Sequence, residues 1–262
     1  MTAARAAVLL AALLATSCGT PLMKLPAGPG EPVTDGAALL EQATSACRRV
    51  STISAEVAVR GSVNGSRVRG RLLAGLAAPD SLYMEAPAPF GAPVFILGAV
   101  AGDATLLLPR DRRVLEHGVP EDVLGAVTGV PLTPADLRDA LTGCVPGDDA
   151  GVARAIGPDW RVIGDDPLRY LRRERPDAPW RLVSVVRQGA GGWRSDYSNF
   201  VGDLPRSIRL VSNTQGRFNL QLELSQVDLN VDLEPSTFRV RVPAGVAPIT
   251  IGELRDGGPF AR

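Results

Sequence analysis

Apolar residues recur at two different periods along this chain, and the switches between those periods mark out its elements. After Asp35, the positions Leu39, Leu40, Ala43 and Cys47 keep helical spacing, which predicts an amphipathic helix ending near Arg49. The period then drops to two. Ile53, Ala55, Val57 and Val59 alternate with Ser54, Glu56, Ala58 and Arg60, as a half-buried strand requires. Asn64-Gly65 is a hairpin signal. Beyond it Val68, Gly70, Leu72 and Ala74 alternate with Arg67, Arg69, Arg71 and Leu73. The predicted hairpin has one apolar face and one partly charged face.

Residues 81–86 read as another strand, broken by Pro87-Ala88-Pro89-Phe90-Gly91-Ala92-Pro93. Strands are predicted at 94–99 and 104–108, and Arg110 to Arg113 turn the chain into Val114-Leu115. Helical spacing returns from Pro120 through Val123, Leu124 and Val127 to Gly129. Thr133-Pro134-Ala135-Asp136 supplies a cap and first turn for a second short helix, which carries Leu137 and Leu141 and stops at Gly143. From Trp160 the chain is β again, at 161–163, 169–171, 181–186, 193–197, 207–211, 217–224 and 227–231. Phe218, Leu220, Leu222 and Leu224 alternate cleanly with polar residues there. No linker interrupts this run. One α+β domain over 35–250 is expected, built on a large curved antiparallel sheet, with a tail over 251–262.

Composition supports a folded domain: of 262 residues, 45% are hydrophobic and 21% charged. The net charge is zero, from 28 basic and 28 acidic residues, which argues against nucleic acid as a partner while leaving room for a local basic patch. The first residues are not fold. Arg5 precedes an apolar stretch from Ala6 to Ala15, too short to span a bilayer and of the length of a signal h-region. Leu14-Ala15-Thr16-Ser17-Cys18 resembles a lipobox, which implies cleavage of residues 1–17 and acylation of Cys18. By the same resemblance Gly19 favours an outer-membrane address, facing the periplasm. Residues 18–34, with Pro21, Pro26, Pro29 and Pro32, read as an extended tether.

Catalytic chemistry finds no foothold. His117 is the only histidine and sits in a polar turn with no nucleophile motif beside it. The acidic pairs Asp148-Asp149 and Asp165-Asp166 read as loop turns, and no calcium or zinc spacing occurs. No catalytic residue, metal or cofactor is expected. Cys47 and Cys144 both end predicted helices; they are either a disulfide staple or two buried thiols.

Leu82-Tyr83-Met84-Glu85-Ala86-Pro87, then Pro89-Phe90-Gly91 and an apolar strand, resemble the LolB family of outer-membrane lipoprotein receptors. The order continues with Thr128-Gly129-Val130-Pro131-Leu132, with Leu141-Thr142-Gly143 and a loop to Gly147, and with Gly192-Trp193-Arg194-Ser195-Asp196-Tyr197. The likeness covers most of residues 50–240. It implies an unclosed half-barrel with a lid of about three short helices over its concave face. It further implies a monomer, not an enzyme, that takes the acyl chains of other lipoproteins from a LolA-like periplasmic carrier and helps insert them into outer-membrane lipid. The membrane-insertion loop would be Pro89, Phe90 and Gly91. Cavity walls would come from Val57, Val59, Leu72, Met84, Ile96, Leu106 and Leu108, with Leu124, Leu137 and Leu141 from the lid. The alternative is a scaffold or envelope-assembly lipoprotein that uses the same fold to hold a protein partner or another lipid.

Overall fold

The computed structural model of the chain describes residues 22–130, 132–144, 151–189, 191–213 and 217–257. The signal segment 1–17, Cys18, the loop residues 145–147 and Asp148-Asp149 lie outside these residues.

The first half runs β1 (Glu31–Val33), α1 (Gly36–Arg48), β2 (Thr52–Val63), β3 (Ser66–Ala77), β4 (Ser81–Ala86), β5 (Phe95–Val100), β6 (Asp103–Leu108) and β7 (Arg113–Gly118). Two short helices follow, α2 (Pro120–Thr128) and α3 (Pro134–Thr142). The second half is β8 (Ala153–Ala155), β9 (Trp160–Ile163), β10 (Leu168–Arg172), β11 (Arg181–Val186), β12 (Trp193–Ser198), β13 (Ser207–Ser212) and β14 (Phe218–Leu229). A 3-10 turn (Pro235–Phe238), β15 (Ala247–Pro248) and α4 (Ile251–Gly257) close the chain.

All the strands join one open sheet of 15, in the order β1-β8-β9-β10-β11-β12-β13-β14-β2-β3-β4-β5-β6-β7-β15. Two antiparallel meanders meet where β14 pairs with β2, and β15 lies parallel to β7 at one edge. The sheet does not close, and the helices lie across it as a lid. This is the unclosed half-barrel expected from the sequence.

Local chemistry explains the elements. Asn64 and Gly65 take positive φ of 48° and 80° and turn β2 into β3. The Thr133 side chain accepts from Asp136 N at 3.0 Å, while Asp136 Oδ2 accepts from Thr133 N at 3.2 Å, so α3 opens with a capping box. Gly129 and Gly143 end α2 and α3 in the left-handed conformation. β14 is one strand with a register shift between Ser225 and Asp228, where the sequence pattern gave two.

Gly61 sits mid-strand at φ 143°, and a Cβ there would lie 1.9 Å from the Asn219 carbonyl oxygen. Any side chain would force β2 from β14. Gly61→Ala is therefore expected to lower stability by about 2–4 kcal/mol in urea unfolding. An unchanged midpoint would show that the two strands part there without cost.

Both ends of the described chain attach to the sheet. Residues 18–34 read as a free tether from sequence, yet Glu31–Val33 pairs antiparallel with β8 as β1. Upstream, Met23 N donates to Asp196 Oδ2 at 3.2 Å, and the Arg194 guanidinium donates to the Met23 carbonyl. Asp196 is itself buried and accepts from Ser184 Oγ and Arg194 Nε, each at 2.7 Å. Residues 251–262 read as a tail from sequence, yet Ile251–Gly257 folds as α4 against α2, with Leu254 fully buried. Arg255 reaches Asp122 of α2 at 2.8 Å, and Arg113 reaches Glu253 at 2.8 Å.

Candidate functional site

β2, β3 and β14 turn one apolar face toward the lid, and that face is not filled. Between sheet and helices lies a partly open cavity of about 730 Å³. Such volumes are typical of pockets for small apolar ligands. Its floor includes Val57 and Val59 of β2, Val68, Gly70 and Leu72 of β3, Met84 and Ala86 of β4, and Leu220 and Leu222 of β14. Its roof includes Leu124 and Thr128 of α2, Val130 and Leu132 of the connection, and Leu137 and Leu141 of α3.

The charged residues bordering it, among those described, are Arg69, Arg71 and Arg110. The titratable groups with raised pKa lie elsewhere. Burial raises that of Asp139, against the ion pair it makes with Arg138 at 3.2 Å. Burial likewise raises that of Tyr197, which is inside the core. Neither lines the cavity.

Of the cavity walls read from the sequence, Val57, Val59, Leu72, Met84, Leu124, Leu137 and Leu141 border this space. Ile96, Leu106 and Leu108 do not. Phe95 and Leu97 share the inner face with Met84 and Ala86, through the pairs Met84↔Leu97 and Ala86↔Phe95, so Ile96 belongs to the outer face. The outer face of β5 is covered by the segment around Phe238 and Val240, close enough that a Cβ on Gly98 would meet the Phe238 carbonyl oxygen at 2.5 Å. Leu106 and Leu108 do face inward, Leu106 paired with Leu97 and Leu115, but α2 packs against β6 and both are buried rather than bordering the cavity. Phe95, Val68, Val130 and the β14 leucines line the cavity without having been singled out.

The mouth has a sequence cause. β3 runs from Ser66 to Ala77, yet β4 pairs only with Leu73–Ala77. Pro87 and Pro89 have no N–H to donate, so the ladder stops at Ala86. The stretch 66–72 of β3 thus has a neighbouring strand on one side only. Pro87, Ala88 and Pro89 border the cavity across this gap. Val94 N donates to Ala86 O at 2.8 Å and pins the base of the loop. Arg110 Nε donates to Ala92 O at 3.1 Å and its Nη2 to Phe90 O at 3.4 Å. On this braced loop Phe90 is 90% exposed, and Pro89 and Gly91 on either side are exposed too.

Cys47 and Cys144 form a disulfide, with Cα atoms 5.5 Å apart. It joins the last turn of α1 to the residue after the cap of α3. His117 is exposed, with Nδ1 3.3 Å from Asp103 Oδ2, and stands away from the cavity. No helix among the described residues is long and apolar enough to cross a membrane.

No family model and no curated protein sequence matches the chain. Solved structures do. A LolA superfamily protein from Nitrosomonas europaea superposes with a TM-score of 0.52 at 14% identity, over 79% of this chain and 99% of that one. A DUF1329 family protein from Desulfovibrio piger gives 0.48 at 11% identity, over 80% of this chain and 98% of the other. A domain described as an outer membrane lipoprotein-sorting protein, from Vibrio parahaemolyticus, gives 0.47 at 16% identity, over 78% and 97%. At such identities the likeness is one of fold: this chain has the fold of the Nitrosomonas LolA superfamily protein.

Proposed function

We propose that this domain binds the acyl chains of other lipoproteins in its cavity and helps insert them into the outer membrane. In this reading Cys18 carries the acyl chains that hold the domain to that membrane, on its periplasmic side. The cargo arrives from a soluble LolA-like carrier. The observation that carries the proposal is the cavity of about 730 Å³, walled almost entirely by aliphatic side chains and opening beside an exposed phenylalanine.

Transfer of this kind needs no bond chemistry. It needs a dry apolar space that accepts chains of variable shape, and a route out of it. Aliphatic walls supply the first, through about 25 cal/mol for each Å² of chain removed from water. The gap beside β3 supplies the second. A phenylalanine held out on a proline-stiffened loop gains ~2 kcal/mol on entering a bilayer, which is enough to bias the mouth toward the membrane without a second anchor. A scaffold for a protein partner would have no use for an unfilled interior. A lipid other than a lipoprotein fits the same space, and identification of co-purified acyl species by mass spectrometry separates the two cargoes.

Phe90→Glu tests the loop. Phe90 makes no core contact, so folding should change by less than about 0.5 kcal/mol, while insertion of a purified acylated lipoprotein into vesicles should fall at least about tenfold, from the lost burial plus the introduced charge. Uptake of a fluorescent fatty acid should be unaffected. Insertion at the wild-type rate would remove Phe90 from the mechanism.

A further inference from the structure

The net charge of zero hides a concentrated basic patch on the outer face of the sheet. Residues paired across strands share a face. Val59 lines the cavity, so its neighbour Arg60 is on the outer side. Arg60 pairs with Arg69 of β3 on one flank and with Gln221 of β14 on the other, and Gln221 pairs with Arg209 of β13. One transverse row therefore reads Asp196, Arg209, Gln221, Arg60, Arg69, so the Asp196 carboxylate stands opposite Arg209 and the uncompensated charge lies at the β2–β3 end. Two residues along β3 on either side, Arg67 and Arg71 extend the patch, about 7 Å away from Arg69 in each direction.

The nearby acids are engaged. Glu56 is ion-paired with Arg71 at 2.7 Å. Glu223 accepts from Ser207 and, at 2.9 Å, from Gln221. Among the described residues no hydrogen bond or ion pair engages the side chain of Arg60, Arg67 or Arg69, and the three are exposed. Like charges set directly opposite on adjacent strands destabilise a sheet, and Arg60 and Arg69 are set so. An anionic surface brought against the row would turn that repulsion into attraction.

We propose that this outer-face arginine patch, at Arg60, Arg67 and Arg69, docks the domain on a bilayer carrying anionic phosphate headgroups. The place of the patch selects the partner. Arg69 and Arg71 border the same mouth as Pro87, Ala88 and Pro89, so the patch adjoins the Phe90 loop. Arginines beside an exposed apolar tip match the two layers of a membrane surface, phosphates outside and hydrocarbon beneath. The outer row offers Gln221, Asn219, Ser62 and Ala58 between its arginines, with no aromatic ring to stack on a base, which disfavours single-stranded nucleic acid. The proposal rests on Phe90 meeting the membrane. It adds a lipid preference and an orientation, with the mouth at the bilayer and the free edge of β3 beside it.

The test uses the full chain carrying Cys18→Ser, so that no acyl anchor masks the surface. Binding is measured to vesicles of phosphatidylcholine with and without phosphatidylglycerol. The expected result is binding at least about tenfold tighter with phosphatidylglycerol, weakening as salt is raised. Arg60→Ala, Arg67→Ala and Arg69→Ala combined should lower that affinity by about fivefold per arginine, roughly a hundredfold in all. The corresponding triple lysine variant should retain it. Equal binding to both vesicles, or an unchanged triple alanine variant, overturns the proposal. So does tighter binding of a short single-stranded oligonucleotide than of phosphatidylglycerol vesicles. Fatty-acid uptake by the same proteins is read separately: its absence in the wild type would sink the cavity reading, whatever the vesicles show.

Discussion

Changing Cys47→Ser and Cys144→Ser together is expected to lower the stability of the domain by about 4 kcal/mol and its melting temperature by about 10 °C. The bond spans 97 residues of sequence, and a loop of that length gives a large restriction of the unfolded chain. Its native position is equally consequential. α1 rests on β8, β9 and β11, in the second meander, whereas Cys144 follows the cap of α3, the helix that roofs the cavity. The bridge therefore ties one end of the lid to α1, the helix that rests on the second meander. Thermal unfolding with and without reductant gives the magnitude. A melting temperature shifted by less than about 2 °C would mean that α3 is held by packing alone. Loss of fatty-acid uptake in the reduced protein below its melting point would show further that the bridge sets the lid, since the sheet itself would remain folded.

The sequence does not decide that bridge, because two cysteines at helix ends cannot say whether their helices meet. Other features were legible for local reasons. The Asn64-Gly65 hairpin, the capping box at Thr133 and the glycine stops at 129 and 143 are each written within a few residues, and each appears in the structure. The elements that were not read are short and depend on distant partners. Ala153–Ala155, Ala247–Pro248 and Glu31–Val33 show no alternation worth reading; the last two become strands by hydrogen bonding to segments far away in the chain, and Ala153–Ala155 by pairing with both β9 and the distant β1.

The cavity was legible in part, for a related reason. Alternation assigns a residue to a face, not to a depth. It put Val57, Val59, Leu72 and Met84 on the face that borders the space. It could not tell that Leu106 and Leu108 would be buried in the strand where α2 packs rather than bordering the cavity, nor that the segment around Phe238 would bury the far side of β5 and make Ile96 apolar for another reason. The alternation of Phe218, Leu220, Leu222 and Leu224 was visible, but its membership of the cavity follows from β14 pairing with β2, a contact between the two ends of the domain. The basic patch was obscured in the same way: Arg67, Arg69 and Arg71 stand out along β3, whereas Arg60 joins them only through register.

Gly70→Trp is expected to block the cavity while leaving the fold intact. Gly70 lies on the inner face of β3, paired with Val59 and flanked by Val68 and Leu72, and it borders the cavity. A Cβ at this position would meet nothing within 4 Å, in contrast to Gly61. The strand has no neighbour on its outer edge here, so nothing need move to admit a larger residue. The indole would occupy the space just inside the mouth. Burying it contributes about 2–3 kcal/mol of favourable transfer, and removing a glycine from a strand adds about 0.5–1 kcal/mol. Stability should therefore hold or rise, an unusual direction for a large substitution and one that separates occlusion from damage. Fatty-acid affinity should fall more than about tenfold, because the chain loses the burial that the indole takes over. Lipoprotein insertion should fall with it, even though Phe90 and the arginine patch are untouched and binding to phosphatidylglycerol vesicles persists. Gly70→Ser, which adds little volume, should behave as wild type. If Gly70→Trp binds fatty acid normally while its indole is shielded from a soluble quencher, the chains are held somewhere other than this cavity.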